Sequence, residues 1–151
     1  MASLKWNDLK HSPQQDVIFD WDVVLNMQGN SGPYMLYSFV RAQSILKQVK
    51  TFNDVIHEVG DHKINPEEMA LLRMFYKYPE VIEQAATLYS PSTLATYLFD
   101  LAQKYNLFYQ KHSVLKSEEP TRSFRLQLTM AVANILKSGL KLLGIETVEK
   151  M

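Results

Sequence analysis

An all-α protein, folded as a helical bundle, is the architecture this sequence predicts. Apolar residues recur at helical spacing over several long stretches, helix start and stop residues bracket those stretches, and strand-like alternation goes no further than Val17–Phe19. The 151 residues suffice for one domain with a real core, and a hydrophobic content of 46% is ordinary for a globular chain. No low-complexity run, long linker or internal repeat divides it. No apolar run is long enough to span a bilayer and no signal-peptide core opens the chain, so a soluble, cytoplasmic protein without a membrane partner is expected. The absence of cysteine excludes a disulfide framework and a thiolate metal site.

The elements follow in order. Residues 16–19 read as extended, and 20–26 as a short helix. Asp20 and Asp22, flanking Trp21, suit its cap and first turn better than an acid/base pair of carboxylates. Gly29 and Gly32 permit a tight turn, Ser31 can cap, and Pro33 suits a first helical turn, so 32–50 reads as a long helix. Thr51 can cap a short helix reaching about Val59, with Gly60 ending it. Asn65-Pro66-Glu67-Glu68 is a strong helix start: a cap, a proline in the first turn, then acids facing the macrodipole. That helix is expected to stop near Tyr78, before Pro79, with a separate short one at 80–89. Ser90-Pro91 opens the next, running to about His112 and burying Leu94, Leu98, Leu101, Ala102, Tyr105 and Phe108. Residues 113–120 read as a loop, and about 121–143 as the last long helix, burying Leu128, Val132, Ile135, Leu136 and Leu143. Gly144 is a natural residue to end it, before a short tail.

Chemistry concentrates on the helix after Ser31. Met35, Phe39, Ala42, Leu46 and Val49 form an apolar stripe, while Tyr34, Tyr37 and Arg41, at i, i+3 and i+7, form a second one beside it. Two rings for stacking and a cation for phosphate are what holds splayed-out RNA bases, although polar aromatics on a helix flank also serve as rim packing. Tyr105, Tyr109 and His112 share another face, on which Tyr105 suits the core and the others half-burial. Acidic and basic residues number 16 each, so the net charge is zero, but they are segregated: no acid occurs from Val23 to Asn53 or from Pro120 to Ile145. Phosphate-cradling loops, nucleophile elbows and H-E-x-x-H are missing, so no catalytic residue is assigned. His57, Glu58, Asp61 and His62 fit no common ligand template and read as loop polarity, so no metal ligand is assigned either.

The stretch from Gly29 to Arg41, G-N-S-G-P-Y-x-x-Y-x-x-x-R, resembles the first long helix of the DALR-type anticodon-binding domain of arginyl-tRNA synthetases. Residues Asp16–Asp22, Leu94–Tyr109 and Gly144–Met151 resemble its entry segment, central helix and carboxyl terminus, so the resemblance covers nearly the whole chain. It implies that Gly29, Tyr34, Tyr37, Arg41, Tyr109 and Met151 lie at the anticodon loop of arginine tRNA. It further implies that 16–151 is the anticodon-binding domain and 1–15 a remnant of the connection to a catalytic domain preceding Met1. The two ATP-site motifs of class I synthetases, HIGH and KMSKS, are missing here, so arginine activation with ATP and Mg belongs to that catalytic domain, and this chain is expected to be a non-catalytic, monomeric binding module. Three positions depart from the family. Ser113 replaces an aromatic present in some members, and Met130 and Ala133 stand where the Asp and Arg of the family's naming motif stand, a paired loss read as conservative repacking. Two other readings stay open on the sequence: a helical protein–protein interaction module, favoured by zero net charge, and the related domain of a cysteinyl or glycyl synthetase.

Overall fold

A computed structural model of the chain describes residues 1–12, 14–49 and 61–150. Six helices occur among them: α1 (Ala2–Leu9), α2 (Trp21–Val24), α3 (Gly32–Leu46), α4 (Pro66–Thr87), α5 (Pro91–Lys111) and α6 (Thr121–Leu142), with no strand. The central element is α5, which packs on α1, α3, α4 and α6. Its predicted stripe of Leu94, Leu98, Leu101, Ala102, Tyr105 and Phe108 is buried throughout, and α3 and α6 close over it with Met35, Phe39, Ala42, Val132 and Leu136.

Local chemistry explains most of the boundaries. Asp20 Oδ1 accepts from the Asp22 N–H at 2.8 Å, so this aspartate caps α2. Ser31 Oγ accepts from the Tyr34 N–H at 3.3 Å and starts α3. Asn65 and Glu68 form a complete capping box at the head of α4. At the far end of α6, the Ile145 N–H donates to the Leu140 carbonyl at 2.8 Å and the Gly144 N–H to that of Lys141 at 3.0 Å. This is a Schellman motif, and it needs Gly144 at φ +68°. The tail therefore turns back. It starts where Lys5 Nζ reaches the Gly144 carbonyl at 2.5 Å and continues to Glu149, whose Oε2 lies 3.9 Å from Lys47 Nζ beyond the end of α3.

Several expectations are corrected. Pro79 does not end a helix: α4 runs through it to Thr87. Leu71, Met74, Phe75, Tyr78, Val81 and Ala85 keep one helical phase across the proline and pack on the core. A helix-interior proline costs about 3 kcal/mol, and the packing of Val81 and Ala85 beyond it works against that cost. Gly29 and Gly32 do not adopt positive φ. Gly32 is needed instead for contact, since a Cβ there would lie 2.7 Å from Ser3 Cα in α1. The turn before α3 is held by Asn26, whose Oδ1 accepts from the Gln28 N–H at 2.7 Å and whose carbonyl accepts from Ser31 Oγ. Residues 2–9 form α1 and bury Trp6 completely, with its Nε1 donating to Asn30 Oδ1 at 2.8 Å. Helix α3 stops at Leu46 rather than at residue 50. The short helix expected from Thr51 to Val59 lies outside the described residues.

His62 is also not loop polarity. Its side chain is 5% exposed and bonds Glu68 Oε2 at 2.8 Å and Thr121 Oγ1 at 2.9 Å. Glu68, fully buried, also receives the Asn65 N–H at 3.0 Å and Arg125 Nε at 2.8 Å. Arg125 in turn donates to the Ser113 carbonyl and Ser117 Oγ. Burial by itself raises the Glu68 pKa, but the Asn65 N–H, Arg125 and His62 outweigh it and hold the carboxyl below its ordinary value of 4.5. Its neighbour Glu67 bonds Lys111 at 2.5 Å and His112 at 3.1 Å, contacts that bring its pKa down to about 2. His57 and Glu58 lie outside the described residues, and among those described no cluster of His, Asp or Glu is placed to hold a metal ion.

Both carboxyls have folded-state pKa values below their ordinary value of 4.5, so the stability they contribute is complete above that pH and is lost as pH falls through the folded values. Glu68→Gln keeps a side chain suited to the capping box but takes the charge partner from the largely covered Arg125. We expect a loss of about 3 kcal/mol at pH 7 by urea denaturation, with the gap to wild type narrowing as pH falls below 4.5. A gap independent of pH would remove Glu68 from the acid transition.

Candidate nucleic-acid interface

Helical phase divides α3. Met35, Phe39 and Ala42 point into the core, while Tyr34, Tyr37 and Arg41 lie on the adjoining face. Helix α5 crosses that face and supplies Asn106, Tyr109 and Gln110. Tyr34 is partly buried, with its ring 5.5 Å from that of Phe99. Tyr37 and Tyr109 stay open to solvent, at 39% and 41% exposure.

Arg41 joins the two helices. Its Cζ lies 4.7 Å from the centre of the Tyr37 ring and 4.8 Å from that of Tyr109, within cation–π range of both. Nη2 donates to the Tyr37 hydroxyl at 2.8 Å and Nη1 to Asn106 Oδ1 at 2.7 Å. Asn106 Nδ2 donates to the Tyr34 hydroxyl and to Ser38 Oγ, each at 2.9 Å. Among the described residues no carboxylate pairs with Arg41, so its charge is uncompensated at the surface. In front of these groups is an open depression of about 560 Å³ lined by Met27, Gln28, Tyr34, Tyr37, Arg41, Asn106 and Gln110, without an acid. A second depression of about 570 Å³, bordered by Tyr109, Ser113 and Lys116, lies beside it, and Gln110 lines both.

The structure thus brings together Tyr34, Tyr37, Arg41 and Tyr109. Gly29 is half-buried in the turn carrying Gln28 and Met27, at the edge of the first depression. Met151 lies outside the described residues. Of the second aromatic face, Tyr105 is fully buried, and His112 bonds Glu67. Asn106 went unassigned in the sequence reading. Its signal was a polar residue on the buried side of α5, four residues after Ala102 and between Tyr105 and Phe108.

The fold and this face define a class: a helical domain presenting an acid-free aromatic and cationic surface. A family model described as "DALR anticodon binding domain" matches residues 35–151, and the chain belongs to that family. It is 40% identical over 152 residues to an arginine–tRNA ligase of Marinomonas sp. (strain MWYL1) and 37% identical over 153 residues to one of Pyrococcus abyssi (strain GE5 / Orsay). All of this chain is covered in both matches, but only 26% and 24% of those proteins, so the chain spans about a quarter of their length. Among solved structures, arginyl-tRNA synthetase of Thermus thermophilus superposes with a TM-score of 0.90 at 30% identity, over 99% of this chain and 26% of that one.

Ala133 is 1% exposed and Met130 packs on the core, so both are apolar packing positions here. Ala133→Arg alone is expected to cost about 3 kcal/mol in urea denaturation, through overpacking and a buried charge. Adding Met130→Asp is expected to recover part of that loss. If the double variant loses as much as the two single variants summed, the two sites are not coupled.

Proposed function

We propose that this chain is the tRNA-binding module of an arginine–tRNA ligase, and that the face of Tyr34, Tyr37, Arg41 and Tyr109 holds the anticodon loop of arginine tRNA. One observation carries the reading: an arginine unpaired by any described carboxylate sits against two half-exposed tyrosine rings, at the mouth of an acid-free depression. The outward ring faces offer sequence-tolerant stacking platforms for unstacked bases, and the guanidinium supplies the charge that their phosphates need. Gly29, in the bordering turn, lets backbone approach the loop, and Met151 contributes to binding it. Arginine activation with ATP and Mg falls to a separate catalytic domain, with this module anchoring the tRNA. The parent enzyme works in the cytoplasm, and the module acts as a monomer. Among the described residues no helix is long and apolar enough to cross a membrane.

Titration with a panel of tRNA anticodon stem-loops at two salt concentrations tests this. The arginine stem-loops should bind best, and affinity should fall steeply with salt through counterion release. Salt-independent capture of a protein ligand, with no stem-loop binding, would establish the interaction-module alternative. Tyr37→Ala should weaken stem-loop binding by about 1–3 kcal/mol, the worth of one base stack. Arg41→Ala should also weaken it, and Arg41→Lys should restore only part, because an ammonium is a point charge that cannot contact two rings and bridge to an amide as a planar guanidinium does. Full restoration by lysine would reduce Arg41 to a point charge.

A further inference from the structure

We infer that Asn106 is a positioning residue that sets the Arg41 guanidinium in place and fixes the hydrogen-bond polarity of Tyr34 before any ligand arrives. The inference rests on the anticodon-loop reading for its functional consequence, but its structural half stands alone. Asn106 is 7% exposed at the floor of the depression, and its amide is already bonded to Arg41, Tyr34 and Ser38, so it acts through them. Its amide can sit only one way round. Arginine has donors and no acceptor, so the oxygen must face Arg41 and the nitrogen must face the two hydroxyls. Ser38, fully buried, holds the amide from below, because its own hydroxyl donates to the Tyr34 carbonyl at 2.9 Å and so can only accept from Asn106.

The polarity then propagates outward. Tyr34 Oη accepts from Asn106, and Tyr37 Oη accepts from Arg41. Each phenol therefore keeps its proton for the depression in front of it. The site presents donors: two phenolic hydroxyls and the remaining guanidinium N–H groups. Matching ligand groups are acceptors, namely phosphate oxygens and base carbonyl or imino positions. Without the amide, Arg41 loses the one partner that ties it to α5 by a hydrogen bond, and a long flexible side chain recovers its rotamer freedom.

Two readouts test this on the 151-residue chain. The first needs no RNA. In the wild type the Arg41 Nε–Hε NMR resonance should be single and slow to exchange with solvent, and Asn106→Ala should average it and speed exchange. An unchanged resonance would overturn the positioning role. The second is stem-loop affinity at a temperature where circular dichroism shows each variant folded. Asn106→Ala should weaken binding roughly tenfold in the wild-type background, and by no more than about twofold once Arg41→Ala is present. Equal losses in both backgrounds would mean that Asn106 does not act through Arg41, and would overturn the inference. Should Asn106→Ala fail to fold, Ser38→Ala loosens the same amide from the buried side. It should shift the Arg41 resonance in the same direction with a smaller loss of affinity, and no shift would count against the inference. If Arg41→Ala itself leaves affinity intact, the anticodon-loop reading fails, while the NMR readout still decides the role of Asn106.

Discussion

Much of this fold hangs on one buried carboxylate. Glu68 has no exposure to water, yet it closes the capping box of α4, accepts from Arg125 near the start of α6 and bonds His62 just ahead of α4. An unpaired buried charge is expensive, so each partner is held by the cost of losing it. Through Arg125 the constraint reaches the Ser113 carbonyl and Ser117, the segment that follows α5. Tyr109 is four residues before Ser113, so this ionic cluster pins the end of the helix that presents half of the candidate site. It sits at a distance from that surface in kind as well: it is dry and ionic, whereas the site is open and held by neutral groups around one cation.

Zero net charge is compatible with a nucleic-acid surface because of where the acids are. Glu67 is engaged by Lys111 and His112, Glu68 by Arg125 and Glu119 by Arg122, all around α4 and the head of α6. Arg41 has an amide, a phenol and two rings for partners. Arg41 thus stays unpaired by any described carboxylate although the sum over the chain is nil.

The sequence carried the helices whose signals are local and lost those decided by packing. Asn65-Pro66-Glu67-Glu68, Ser31, Asp20 and Gly144 each act within a few residues, and each behaves as its chemistry requires. At Pro79 the local rule gave way to a tertiary one, because the apolar phase continued on both sides and α5 lay along it. Trp6 and Gly32 could not be read locally, since each takes its role from a contact between α1 and the start of α3. His62 looked like loop polarity because its partners, Glu68 and Thr121, are 6 and 59 residues away. At the candidate site, the tyrosines and Arg41 followed from helical spacing, whereas Asn106 required knowing which side of α5 met α3.

That last contact changes what Arg41 can do. A free arginine on a helix surface would offer both faces of its guanidinium to a base. Here two tyrosine rings lie against it and two of its nitrogens are engaged. These contacts engage the guanidinium inside the protein, so on the proposed reading its contribution to a ligand is charge and remaining N–H donors, and stacking falls to the outward faces of Tyr37 and Tyr109. The arginine also contacts both rings, which would lower the entropy lost by a ligand base settling on them. Removing it therefore takes away a charge and loosens two platforms together. Lysine can replace the first of those contributions but not the second, because only a planar cation fits against two rings and reaches an amide at the same time.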